Sequence, residues 1–451
     1  MKIVTSAIRM ISGEQKMRRN DYALQSLGSL SAVLQPRGRL FFTLSLVSPH
    51  RKLAAQRVRV AAATDADMSA LSKMVASALL PFNLLRMSAL WDRANPQLRD
   101  LALYEPGKPI EETARELHVD PSKIVKLASN ENPLGPSPKA INAMHHALES
   151  AHIYPDGGAF YLREALADRL GFASENIILG NGSNEIIEFL GHAFLNLEDE
   201  VITARHAFIA YKLIAQLFGS RPIETATPQF QQDLDAILAA ITPRTKIIFI
   251  ANPNNPTGAL TSQEKIDQFV SLVPENIIAV FDEAYFEFLD NPPDIVRHVR
   301  EGKNIVALRT FSKIHGLASL RIGYGIARPE LIEVLQKTRQ PFNVNGIAQA
   351  GALAALDDIE HQRETKRVVD LGRAYLQEQF SEMKLDFVPA AANFVMVNVG
   401  DGVAVFQKLL GKKIIVRPIK NYGLPEWLRI SVGTMEQNQK CIAALTEVLS
   451  R

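Results

Sequence analysis

Cysteine occurs once in this chain of 451 residues, at Cys441. A disulfide framework is therefore excluded, as is any metal site built on several thiolates, and the chain fits a reducing, cytoplasmic setting. The lone thiol lies in "QKCIAALTEVL", whose apolar period is helical, so it reads as a buried core residue. No apolar run reaches the roughly 18–20 residues of a membrane-spanning helix. Basic stripes interleaved with aromatics are also missing, and with a net charge of only +2 nothing points to nucleic acid. Histidines 145, 146, 206 and 315 are scattered without metal-ligand spacing, and none is read as a ligand.

What is present is the composition of an ordinary soluble globular protein, 47% hydrophobic and 22% charged. The length suggests roughly two to three domains. Charge is unevenly spread. Residues 1–86 carry 13 Lys or Arg against 4 Asp or Glu, which leaves a net of −7 for the remainder. That stretch has few acids and no sustained period, as in transit peptides. Three readings compete for it: a targeting segment, a disordered basic arm, or translated sequence upstream of a start at Met87. The stretches "FFTLSLV" and "MVASALLPFNLL" are too apolar for a solvated arm and too short to span a membrane, which favours the third.

From about residue 140, apolar runs of strand length alternate with helical periods. "ENIILGNG", "DEVITAR", "TKIIFIANP", "NIIAVFDEAY" and "KNIVALRTFSK" are separated by helices such as "GSNEIIEFLGHAFL" and "SQEKIDQFVSLV". Such alternation predicts an α/β domain with a largely parallel sheet covered on both faces. Later, the helix "VVDLGRAYLQEQFSEM" precedes the strand-like "NFVMVNV", "KKIIVRPI" and "WLRISVG" and a last helix, a smaller α+β domain. The expected division is an N-terminal extension 1–86, an arm with part of the small domain 87–140, a large domain 141–345 and a small C-terminal domain 346–451.

Open parallel sheets bind ligands beyond the carboxyl ends of their strands. Three of the runs end in unusual chemistry: one in the turn "NPNNPTG", one in Asp282 and Tyr285, and one in Lys313. Taken singly, an acid or lysine at a strand end is most often a solvated loop residue. Their conjunction, about one strand-helix unit apart, argues for a shared crevice. "GNGSNE" precedes a helix, so Gly182, Ser183 and Asn184 are placed to hold an anion at a helix N-terminus. Arg417 in "IIVRPI" and Arg429 in "LRIS" each follow an apolar run, where an internal salt bridge and a ligand role are both open.

Together, "NPNNPTG", "DEAY", "SKIHGLASLRIGYG" and "LRIS" resemble the fold-type I aminotransferases that use pyridoxal phosphate. "ASNENPLGPSP", "YPDGG", "GNGSNEIIE" and "PFNVN" narrow the resemblance to the histidinol-phosphate aminotransferase family, over the chain from about Tyr104 onward. The resemblance implies a seven-stranded, mostly parallel α/β/α large domain. It implies that Lys313 holds the cofactor's aldehyde and later moves the proton. A lysine does this only when part of its population is uncharged, which burial and a neighbouring cation such as Arg321 favour. Asp282 takes the position against the pyridine nitrogen, while Asn255 and Tyr285 take those beside the phenolic oxygen. Phe208 aligns where a tyrosine often stacks on the ring. Ser312 and Arg321 complete the phosphate cradle of Gly182, Ser183 and Asn184.

The same resemblance implies a homodimer with shared active sites, Tyr154 reaching in from the neighbouring subunit. Substrate contacts fall to Tyr104, Asn345, Arg417 and Arg429. The implied reaction converts L-histidinol phosphate and 2-oxoglutarate to imidazole acetol phosphate and L-glutamate, in histidine biosynthesis. An aromatic amino acid aminotransferase and a threonine-phosphate decarboxylase share much of the pattern and stay open as alternatives.

Overall fold

A computed structural model describes residues 27–35, 39–46, 58–62, 91–103 and 106–450. The chain divides into two units, residues 1–99 and 100–451. In the first, strands β1 (Leu27–Gln35), β2 (Arg39–Leu46) and β3 (Val58–Ala62) form an antiparallel sheet in that order. Leu34 faces Leu40, and Phe42 faces Val60. These strands lie in the segment for which the sequence leads one to expect no ordered element. The β-branched and aromatic residues of "RLFFTLSL" and "VRVAA" favour extension, but "LGSLSAVLQ" and "RLFFTLSL" lack the strict apolar-polar alternation that marks a strand.

The second unit contains β4 (Val125–Lys126), β5 (Ile177–Gly180), β6 (Glu200–Ala204), β7 (Arg221–Thr225), β8 (Thr245–Ala251), β9 (Ile278–Asp282), β10 (Ile305–Thr310) and β11 (Gly323–Ile326). Strands β5 to β11 form a seven-stranded sheet in the order β5-β11-β10-β9-β8-β6-β7. Only β11 runs against its neighbours. Alternate residues of β8 show why its strands read as continuous apolar runs. Ile248 and Ile250 pack with helices Phe160–Leu170 and Gln263–Leu272 on one face, and Ile247 and Phe249 with helix Ser183–Phe194 on the other. A strand buried on both faces has no polar alternation to show. β7 is the exception, an edge strand whose "RPIET" is exposed or half-buried over four of its five residues, with Pro222 where an edge tolerates it.

A second layer follows: β12 (Phe387–Val388), β13 (Phe394–Asn398), β14 (Ile414–Ile415), β15 (Arg417–Ile419) and β16 (Leu424–Ser431). Four of these form an antiparallel sheet ordered β12-β13-β16-β15, while β14 pairs in parallel with β4 and so draws residues 125–126 into this layer. Helices Ile359–Glu382 and Met435–Leu449 supply its core through Val369, Leu376, Phe380, Cys441 and Leu445. Thr434 and Gln437 form a reciprocal capping box that starts the last helix.

The expected boundary at residue 345 moves. Helix Gly346–Leu356 places Ala348, Ala352, Ala355 and Leu356 in the large-sheet core. Its sequence "GIAQAGALAAL" is small and apolar on every side, which suits close packing and conceals which layer it serves. Among the described residues no helix is long and apolar enough to cross a membrane.

Candidate active site

The carboxyl ends of β8, β9 and β10 open onto a cavity of about 300 Å³, whose wall includes Ser183, Asn184, Phe208, Asn255, Asp282, Tyr285, Ser312, Lys313, Arg321, Arg417 and Arg429. The three strand ends thus meet, as their chemistry predicts. A larger cavity of about 470 Å³, beside Arg163 and Arg339, contains none of these residues.

Lys313 follows β10 on a loop anchored in both layers. Phe311 and Leu317 enter the large-sheet core, and Ile314 enters that of the small layer. The lysine Nζ donates to the Ser129 carbonyl at 3.3 Å. Burial, reinforced by the guanidinium of Arg429, pushes its pKa down to about 8, against the pull of Glu131. A sizeable neutral fraction therefore exists near neutral pH.

Asp282, at the end of β9, is buried, and desolvation raises its pKa; hydrogen bonds from Tyr211 and Ala284, with the charge of Lys313, oppose that rise. The Tyr211 hydroxyl donates to Asp282 Oδ2 at 2.7 Å and the Ala284 amide to Oδ1 at 3.1 Å. Tyr211 has no signal in the sequence, because in "IAYKLIAQL" it is one more apolar position of a helix. Nor has Asn130, whose Nδ2 donates to the Tyr285 hydroxyl at 3.0 Å. The quoted stretch "ASNENPLGPSP" contains Asn130 but gives no sign of its partner, 155 residues away. Burial pushes the Tyr285 phenol up to about 12, so it stays a donor.

Arg429 Nη1 donates to Asn255 Oδ1 at 2.6 Å, and Nη2 to the Ala128 carbonyl at 2.8 Å. Arg417 and Arg429 are cross-strand partners on β15 and β16, and both reach the cavity wall. Like charges directly opposite one another repel, and an anion between them would relieve that repulsion. The segment before β4 also reaches the cavity. A Cβ at Gly107 would stand 3.3 Å from Ser129 Oγ and 3.9 Å from Arg417 Nη1.

At the other end, Gly182 precedes helix Ser183–Phe194 with φ of 80°, and a Cβ there would come within 2.5 Å of Arg321 Nη2. Glycine is what lets the guanidinium lie against the helix N-terminus. Arg321 itself has φ of 54°, which turns it back toward that helix. Ser312, Arg321 and the first amides of the helix therefore converge as a set of anion donors.

The remaining expected residues divide. Phe208 does line the cavity, its ring edge-on to Tyr211 at 5.7 Å. Asn345 does not. Its Oδ1 accepts the Ala348 amide at 2.8 Å and its Nδ2 donates to the Leu320 carbonyl, so within this chain it caps helix Gly346–Leu356. Tyr154 is 80% exposed and stacked on Phe342 at 4.8 Å, off the cavity wall. Tyr104 lies outside the described residues.

Comparison with known proteins agrees with this geometry. The sequence model of "Aminotransferase class I and II" matches residues 122–445. Histidinol-phosphate aminotransferase of Akkermansia muciniphila is 51% identical over 357 residues, 79% of this chain and 98% of that protein. The chain belongs to the histidinol-phosphate aminotransferase family. Another relative of that family, from Moorella thermoacetica, is 46% identical over 79% of this chain and 94% of its own length. Among solved structures, histidinol-phosphate aminotransferase from Sinorhizobium meliloti in complex with pyridoxal-5'-phosphate superposes with a TM-score of 0.72 at 26% identity, over 79% of this chain and 98% of that one. An aspartate aminotransferase from Thermus thermophilus, 24% identical with a TM-score of 0.67, shares the fold. The aminotransferase fold thus covers both layers of the second unit.

Proposed function

We infer that this chain is a pyridoxal-phosphate-dependent transaminase that converts L-histidinol phosphate and 2-oxoglutarate to imidazole acetol phosphate and L-glutamate, in histidine biosynthesis. The observation that carries the substrate class is the pair Arg417 and Arg429, opposed across β15 and β16 on the cavity wall. Both partner substrates bring an anion that such a pair accepts, one a phosphate monoester and the other a dicarboxylate.

The residues present fit the cofactor. Ser312, Arg321 and the helix N-terminus at Ser183 suit its phosphate, Asp282 its ring nitrogen, and Asn255 and Tyr285 its phenolic oxygen. When bound, pyridoxal phosphate supplies an aldehyde that takes up the amine nitrogen and a ring that draws electron density from the substrate carbon. Lys313, poised between its charged and neutral forms, would take up the substrate proton and pass it on. Asp282 would hold a proton on the ring nitrogen, and Arg417 and Arg429 would orient the substrate by its anionic end. Tyr154, exposed and away from this chain's own cavity, supports a homodimer in which it completes the neighbour's site.

The test is a single-turnover spectrum of the chain loaded with pyridoxal phosphate and mixed with one amine at a time. L-histidinol phosphate and glutamate should each convert the bound cofactor to its aminated form rapidly, and phenylalanine and threonine phosphate slowly. Fastest conversion by phenylalanine would replace the substrate by an aromatic amino acid. Carbon dioxide from threonine phosphate without net amination would replace the reaction by a decarboxylation.

A further inference from the structure

The carboxylate of Asp282 is held from a helix that carries no motif. Tyr211, on helix Ile209–Leu217, is fully buried, and its hydroxyl reaches across β8 to Asp282 Oδ2 at 2.7 Å. Its ring lies parallel to Phe249 of β8, 2° from coplanar with centroids 4.5 Å apart, and Phe208 meets it edge-on at 87°. Two aromatic contacts at right angles leave the phenol one direction in which to point. The Ala284 amide occupies Oδ1 at 3.1 Å. Both carboxylate oxygens thus have a fixed donor on the protein side, and Asp282 itself stands on the cavity wall.

We propose that Tyr211 is a positioning residue for the transamination, whose hydroxyl fixes the Asp282 carboxylate toward the cofactor's ring nitrogen and keeps it charged. The inference rests on the reading that the cavity holds pyridoxal phosphate. Burial alone would favour the neutral acid, which has no charge to hold a proton on the ring nitrogen. The groups that act on Asp282 are Tyr211 from its helix, Lys313 from the loop after β10, and Glu283 and Tyr285 from the turn after β9. The charge of Lys313 would come and go as it takes up a proton and passes it on. Among the side chains, Tyr211 is then the hydrogen-bond donor that Asp282 keeps throughout. A buried tyrosine usually finds some acceptor, so the alternative is that the bond merely satisfies the phenol.

The two differ in what Tyr211→Phe changes. The variant keeps the ring between Phe208 and Phe249 and removes the donor, and a hydrogen bond to a charged group is worth about tenfold or more in an equilibrium. In the holoenzyme, kcat should fall by about tenfold with KM for both substrates held within about twofold. Pyridoxal phosphate should bind several-fold more weakly, and the midpoint of the bound cofactor's absorbance change with pH should shift. Asp282→Asn combined with Tyr211→Phe should be no worse than Asp282→Asn alone, because the two act through one group. Should Tyr211→Phe not fold, Phe249→Leu, which frees the ring and keeps the hydroxyl, must show the same loss of kcat at constant KM. A wild-type midpoint and kcat in the variant overturn the proposal, as do losses that multiply in the double variant. Failure of the wild-type chain to bind pyridoxal phosphate overturns the functional reading beneath it, and this inference with it.

Discussion

Lys313 and Asp282 are both pushed toward their neutral forms by the same desolvation. On the proposed reading only the shift at the lysine would serve proton transfer, and the one at Asp282 is opposed by hydrogen bonds from Tyr211 and Ala284. At Glu287, which neighbours the lysine's loop through His315, the rise caused by burial is not cancelled by a backbone hydrogen bond and the opposing charge of Arg309. Glu287 Oε1 lies 3.9 Å from His315 Nε2 in a buried pair. Burial pushes Glu287 up to about 8 and His315 down to about 3, so both are neutral at pH 7. The folded chain therefore keeps the Glu287 proton over a range in which the unfolded chain, with a glutamate pKa near 4.3, has lost it. Stability from this group is full below about pH 4.3 and is lost as pH rises toward about 8. Glu287→Gln removes that dependence. Urea unfolding at pH 5 and pH 8 should show the variant gaining a few kcal/mol on the wild type between the two conditions. Parallel curves for both chains would show that Glu287 is ionised in the fold. At this scale the sequence disclosed the residues whose chemistry is distinctive at a strand end, Lys313 and Asp282. It hid Tyr211, Asn130 and Glu287, whose work depends on partners brought close only by the fold.

Elements explain why the lysine's loop is rigid. Gly316 has φ of 70°, and a Cβ there would stand 2.2 Å from the Gly135 carbonyl oxygen and 2.7 Å from the Pro136 nitrogen. The loop after Lys313 thus passes directly over the backbone of the "NPLGPSP" turn. Backbone atoms cannot yield as a side-chain tip can, and a left-handed φ adds strain for any other residue. Gly316→Ala should cost about 2 kcal/mol or more of stability and displace Lys313. Thermal unfolding and the fraction of pyridoxal phosphate retained through gel filtration would measure both. A variant with wild-type melting would mean that the turn at 135–136 moves freely aside. Much of the sheet was legible at this scale, because β5, β6, β8, β9 and β10 each carry an apolar run bounded by polar or turn residues. β11, in "GYGI", and β7, in "RPIET", were not. Glycine and charge mask the strand signal, and antiparallel β11 is held in place by Leu308 and Ile178 opposite Gly325, not by its own pattern.

At the scale of the molecule, the described residues include an exposed and mostly aromatic stretch. Ile153, Tyr154, Phe160, Tyr161 and Phe342 are 46–75% exposed apart from Tyr154, which is 80%, and they follow one another through "IYPDGGAFY" and the stacked contact of Tyr154 with Phe342. Contiguous exposed aromatics mark an interface more often than a solvated face. If a second copy covers this surface and receives Tyr154 in its cavity, each site takes Lys313 from one chain and Tyr154 from the other. Two inactive variants then complement one another. Lys313→Ala and Tyr154→Ala homodimers should both turn over poorly. A heterodimer of the two should contain one site with both residues intact and one with neither. Refolding an equal mixture at random makes half the molecules heterodimers by the symmetry of a two-fold pair, so about a quarter of wild-type activity should return. Mixing without dissociation should return none, because subunits that do not exchange cannot form the hybrid. Activity that never exceeds the mean of the two parents after refolding would place Tyr154 and Lys313 in the service of the same chain's site, or Tyr154 in no site at all.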